Sequence, residues 1–193
     1  MKKRIIIGQY RLCDFLTMTG TLSAFIGMVL AINGYTTIPF ILLLVCCLTD
    51  SFDGFVARLR KNTEFETSYG IELDSLNDVI AFGAFPVVLA LCTVNLEIIK
   101  YIVPFYGLCG VIRLTYFNAL HINKMEEKGY FRGVPITCIS FIYPPIYLLH
   151  LINYNVYEWA TVVLFILMGI LFVLNIRVKK PSIDKLIKKS NKK

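Results

Sequence analysis

Apolar residues run in long blocks along this chain, and the polar stretches between them are short. Six blocks approach the roughly 20 residues that a helix needs to cross a bilayer core. They are Phe15 to Ile32, Thr37 to Ala57, Ile71 to Val94, Ile98 to Leu120, Val134 to Ile152 and Val156 to Ile176. Separators such as "NGYTT", "NLEIIK" and "INYNVYE" leave no room for a second folded unit. The pattern predicts an all-α polytopic membrane protein with six transmembrane helices in one bundle. Residues 1–193 are expected to form a single membrane domain that ends in a basic tail over about 177–193.

Composition supports this reading: 56% of the residues are hydrophobic and the mean hydropathy is +0.65, more apolar than a soluble domain. Charge then supplies an orientation. Of the 20 lysines and arginines, 4 precede the first block, 3 lie between Arg58 and Tyr69, 3 lie between His121 and Gly133, and 8 follow Ile176. Basic residues accumulate in cytoplasmic loops, so both termini and the loops after the second and fourth blocks are expected in the cytosol of a cell-membrane protein. The net charge of +7 would suit nucleic acid, but it flanks the spans, and the tail "RVKKPSIDKLIKKSNKK" reads as a juxtamembrane anchor for anionic lipid. No nucleic-acid partner is expected. The N-terminal block is as long as the later ones, so it reads as a span and not as a cleaved signal. The six cysteines show no C-x-x-C spacing and read as small hydrophobes. His121 and His150 stand at block ends without an evident partner and are assigned no chemistry.

One segment breaks the apolar pattern: "DSFDGFVARLRKNTEFETSYGIELDSLND", from Asp50 to Asp78. A carboxylate in a membrane helix costs about 2.5–3.5 kcal/mol on insertion scales, and this segment puts four against apolar sequence. Asp50 and Asp53 are three apart, Asp74 and Asp78 four apart, so each pair shares a helix face. Two such pairs converging across a helix contact would repel each other unless cations lay between them. Ligation by oxygen alone favours a hard divalent ion, Mg2+ or Mn2+, and two ions about 4 Å apart suit a phosphoryl displacement. The alternative is a set of helix-end carboxylates paired with Arg58, Arg60 and Lys61. Gly54, Ala57 and Gly70 put small residues beside the acids, leaving space for close helix approach or for a flat ligand. Arg58 adds a guanidinium suited to phosphate oxygens. These features predict a phosphate-ester site at the cytoplasmic membrane surface.

The pattern Asp50-x-x-Asp53-Gly54-x-x-Ala57-Arg58 followed by Gly70-x-x-x-Asp74-x-x-x-Asp78 resembles the signature of the CDP-alcohol phosphotransferase family. The chain departs from it in length, with eleven residues between Arg58 and Gly70, where eight or nine are usual. The resemblance implies that Asp50, Asp53, Asp74 and Asp78 hold two divalent ions, Mg2+ or Mn2+, with Asp78 also the general base. It implies that Gly54, Ala57, Arg58 and Gly70 contact the nucleotide and its pyrophosphate, with Thr17 and Thr19 near the CDP group, and that the protein is a homodimer. "GIELDSLNDVIAFGAFP", "CGVIRLTYFNAL" and "YFRGVPIT" are similar to the serine-transferring branch of that family, apart from Asn77, where a small apolar residue is common, and Tyr116, where many relatives have arginine. The branch implies transfer of a phosphatidyl group from CDP-diacylglycerol to L-serine, with release of CMP. Glycerol phosphate, inositol phosphate or choline is the alternative acceptor.

Arg113 lies inside the fourth block, where a charge is costly without a partner. It is expected to bind the acceptor carboxylate or the lipid phosphates, or else to pair with Glu72 or an aspartate. Glu72, Asn118 and Arg132 complete the expected acceptor pocket, although Arg132 also suits a snorkelling helix end. A cation transporter is the competing class. Against it, the acids lie at one membrane face, and no polar path continues across the spans.

Overall fold

The computed structural model describes residues 11–57, 63–122, 130–132, 134–175 and 177–179. Helix α1 spans Leu12–Ile32. At its start the Arg11 main-chain N–H donates to the Asp14 carboxylate, so a local pair satisfies one of the helix's orphan donors. Gly34, with φ 87°, makes the turn into α2, Thr37–Ala57. α3, Glu64–Asp78, opens on a Thr63/Glu66 capping box, in which each residue's side chain accepts from the other's main-chain N–H. It runs without a break into a π-helical segment, Val79–Ala84, and then α4, Phe85–Thr93. α5, Ile99–Ile122, follows. α6, Ile139–Tyr147, is flanked by 3-10 turns at Ile136–Cys138 and Leu148–Leu151. α7, Tyr154–Val173, is capped by Asn153, whose Oδ1 accepts from the Asn155 and Val156 main-chain N–H groups.

The expected six apolar segments all contain helix, but among the described residues four helices are long and apolar enough to cross a membrane: Leu12–Ile32, Thr37–Ala57, Phe65–Thr93 and Tyr154–Val173. α5 carries Lys100, Arg113 and Asn118, which lower its hydropathy below that of the four. The fifth block is a shorter run, Ile136–Leu151, that contains Pro144 and Pro145. One element had no counterpart in the pattern. β1, Tyr130–Arg132, pairs antiparallel with β2, Arg177–Lys179, with Phe131 opposite Val178.

α1 and α2 lie side by side, and their contact runs through small residues. A Cβ at Gly20 would stand 2.6 Å from Thr49 Oγ1 of α2, and further along α1 a Cβ at Gly27 would fall on the Phe85 ring of α4. The core gathers Phe82, Phe85 and Leu89 with Tyr106, Tyr143, Tyr157 and Phe165, while many leucines, isoleucines and phenylalanines stay exposed on the outside, as in a bundle surrounded by lipid. The π-helical segment is supported from α5. Pro86 has no N–H to offer the Phe82 carbonyl four residues back, and the buried Tyr106 hydroxyl donates to that oxygen at 2.6 Å. At the opposite end of α4, buried Glu158 accepts from the Asn95 main-chain N–H at 2.6 Å, and the Tyr154 hydroxyl donates to the Thr93 carbonyl at 2.8 Å.

Candidate functional site

Gly70, Asp74 and Asp78 are spaced by four, so α3 presents them on one face. α2 brings Asp50 to the same place. One carboxylate oxygen from each of Asp50, Asp74 and Asp78 lies within 4.8 Å of the others. Asp78 Oδ1 is buried and has no hydrogen-bond partner. An oxygen-only donor set with an unsatisfied buried oxygen is the chemistry that a hard divalent cation takes, so these residues fit Mg2+ or Mn2+.

Asp53 stands apart from this trio. It is 6% exposed, and its Oδ2 accepts the Thr17 hydroxyl from α1. It lines a cavity of about 180 Å3 beside the trio, shared with Thr17, Gly54, Ala57, Gly70 and Asp74. No heavy atom lies within 4 Å of a Cβ built at Gly54. Thr19 is not part of that lining; its hydroxyl donates to the Phe15 carbonyl on an exposed face.

Arg11 and Asp14 also line the cavity, and sequence reasoning did not single them out. Arg11 Nη2 lies 2.7 Å from Asp14 Oδ1, with the aspartate side chain 2% exposed. The hydrogen bond to Asp14 raises the Arg11 pKa above its ordinary value. The signal was present as an Arg-x-x-Asp pair at a helix start, but such a pair reads equally as a solvated cap.

On the other side of α3, Arg113 of α5 is 8% exposed, with its guanidinium carbon 4.4 Å from the centre of the Phe117 ring. Its charge acts on Asp78, and its Nε is buried without a partner. Asn118, five residues further along, donates to Ser75 Oγ at 2.8 Å and so ties α5 to α3. Glu72 is exposed and makes no hydrogen bond or ion pair among the described residues, so the pairing weighed for it with Arg113 is not formed. Asn77 is buried and accepts from Thr21 at 2.8 Å, which accounts for a polar residue at that position. Arg58, the loop that follows it and the Arg132 side chain lie outside the described residues.

Comparison with known proteins agrees with this geometry. Over 150 residues the chain is 33% identical to an archaetidylserine synthase of Methanothermobacter thermautotrophicus, covering 77% of this chain and 62% of that protein. It is 36% identical over 121 residues to a CDP-diacylglycerol–serine O-phosphatidyltransferase of Methanocaldococcus jannaschii, covering 60% and 55%. An enzyme of the same name from Saccharomyces cerevisiae is 32% identical over 139 residues, covering 65% and 49%. The chain thus matches from about half to just over three fifths of the length of these relatives. The family model for CDP-alcohol phosphatidyltransferases matches residues 10–174, which include both aspartate pairs and helices α1 to α7, and the chain belongs to that family.

Proposed function

We propose that this protein transfers a phosphatidyl group from CDP-diacylglycerol to L-serine, releasing CMP, at the cytoplasmic face of a cell membrane. The observation that carries the proposal is the convergence of Asp50, Asp74 and Asp78 beside a cavity lined by Asp53, Gly54, Ala57 and Gly70. The names of the relatives favour serine among the possible alcohols.

In this reading the cavity holds the cytidine diphosphate part of the donor, and the lipid tails stay in the bilayer beside α2 and α3. Bound divalent ions would supply charge neutralisation for the diphosphate and its CMP leaving group. Asp50, Asp53, Asp74 and Asp78 are the residues that would hold them. Asp78 accepts the proton of the serine hydroxyl as that oxygen forms its bond to the lipid-bearing phosphorus and the bond to CMP breaks. No covalent enzyme intermediate is needed. Arg113, whose charge acts on Asp78 from α5, would bind the serine carboxylate, while Asn118 ties α5 to α3. Arg58 would add charge toward the diphosphate.

The test is a CMP-release assay on the purified full chain with CDP-diacylglycerol or its ether-linked counterpart, Mg2+ or Mn2+, and a panel of alcohols. Serine-dependent release is expected. Release driven by glycerol phosphate, inositol phosphate or choline would replace the acceptor and leave the rest standing, whereas no release with any alcohol would reject the reaction.

A further inference from the structure

Arg11 precedes α1 by one residue, far in sequence from the aspartate segment, yet its guanidinium lies on α3. Nε donates to Asp14 Oδ2 at 3.1 Å, Nη2 to Oδ1 at 2.7 Å, and the main-chain N–H to Oδ2 at 2.8 Å. The two-point fork and the main-chain bond fix the plane of the group. A Cβ built at Gly70 would fall on Nη2 and stand 3.1 Å from Cζ. The overlap with Nη2 leaves no room for a methyl, so the guanidinium rests on the bare Cα of Gly70 and a side chain there would displace it. Nη1 has no protein partner among the described residues, and Arg11 lines the same cavity as Asp53 and Asp74.

We infer that Arg11 binds the nucleotide-diphosphate part of the donor through its Nη1 N–H groups, and that residue 70 is glycine in order to seat that guanidinium. The inference rests on the phosphatidyl-transfer reading and deepens it. It gives Gly70 a role different from clearing space for the nucleotide: Gly70 is a positioning residue that acts through Arg11. Asp14, whose carboxylate is filled by Arg11, holds the fork in place. A cavity walled by Asp14, Asp53 and Asp74 would otherwise repel a diphosphate; Arg11 neutralises Asp14 and keeps its Nη1 N–H groups as donors for the ligand.

The two roles for Gly70 separate in a double-mutant cycle. The KM for CDP-diacylglycerol is measured for the wild-type chain, Arg11→Ala, Gly70→Ala and the double variant, with the KM for serine and the affinity for CDP in detergent followed alongside. Arg11→Ala is expected to raise the donor KM and weaken CDP binding by roughly ten- to a hundred-fold, the span of a lost charge-assisted contact, with the serine KM unchanged. Gly70→Ala should cause a loss of similar size. The double variant should be no worse than Arg11→Ala, because the added methyl has nothing left to displace. Arg11→Gln keeps the stem and loses the charge; it is read in the same way if the alanine variant aggregates. A wild-type donor KM in Arg11→Ala and Arg11→Gln would overturn the inference. So would a double variant whose loss is the product of the two single losses, since Gly70 would then act on the nucleotide directly. A wild-type chain that releases no CMP with any alcohol would instead remove the reaction itself, and the inference with it.

Discussion

Thr17 and Asp53 share a hydrogen bond across the α1–α2 contact, the threonine hydroxyl donating to Oδ2 of a buried carboxylate that lines the cavity. Thr17→Val keeps the shape of the side chain and removes the donor, leaving a buried acceptor unsatisfied at a cost of about 1–3 kcal/mol. The expected outcome is a lower thermal midpoint together with a several-fold higher KM for the CDP-lipid. Unchanged values for both would reduce the contact to packing.

Removing divalent ions should abolish CMP release, because Asp50, Asp74 and Asp78 would then face both each other and the diphosphate without compensation. EDTA is expected to stop turnover, and either Mg2+ or Mn2+ to restore it. Asp78→Asn, which keeps the size of the side chain but gives up both ligand charge and base, should cost at least a hundred-fold in kcat, the lower bound for loss of a general base. Full turnover in metal-free buffer would end the two-ion reading.

Arg113→Lys keeps a positive charge but loses the planar fork and the stacking on Phe117. If the guanidinium binds the serine carboxylate, the serine KM should rise roughly ten- to a hundred-fold while the donor KM holds. A weakened donor with an unchanged serine KM would move Arg113 to the lipid phosphates.

Tyr106→Phe tests the support of the π-helical segment. The variant takes away the donor that the Phe82 carbonyl receives in place of an N–H from Pro86, and the orphaned acceptor should cost about 1–3 kcal/mol. A thermal melt in detergent would show it as a lower midpoint. A midpoint equal to that of the wild type would mean that water or a backbone shift satisfies the carbonyl.

The proposed orientation puts Tyr35, in the turn after α1, and Thr63, ahead of α3, on opposite sides of the membrane. Both are exposed. Single cysteines at the two positions, in a background with the six native cysteines replaced, should label from opposite faces of sealed vesicles, Thr63→Cys from the cytoplasmic side. Labelling from one face would show that α2 does not cross.

Much of this arrangement was legible in the pattern of residues. α2 occupies the expected Thr37–Ala57, and the four-residue spacing of Gly70, Asp74 and Asp78 set one helical face. The same periodicity turns Glu72 away from Asp74, since two residues make about 200° of rotation, which is why it is exposed and takes no part in the cluster. Other features depend on tertiary contacts that no local pattern encodes. Asn77 looked anomalous until Thr21 was found opposite it, and Arg113 found Phe117 and Asp78, not Glu72. Arg11 shows the limit most clearly: its bond to Asp14 is local, but its seat on Gly70 is 59 positions away.

The wide turn between Asp78 and Phe85 also sets an angle. In an unbroken α-helix, Asn77 and Phe85 would lie about 80° apart around the axis, at 100° per residue. A π-turn takes up one extra residue and so holds back about one such step. The two side chains come nearly into phase, and both meet α1, Asn77 at Thr21 and Phe85 at Gly27. Asp74 and Asp78, on the neighbouring face, are thereby aimed at α2 and α5 while the rest of the helix keeps its grip on α1. The number of residues between Asp78 and Pro86, more than the identity of any one of them, acts as the dial that points the acids.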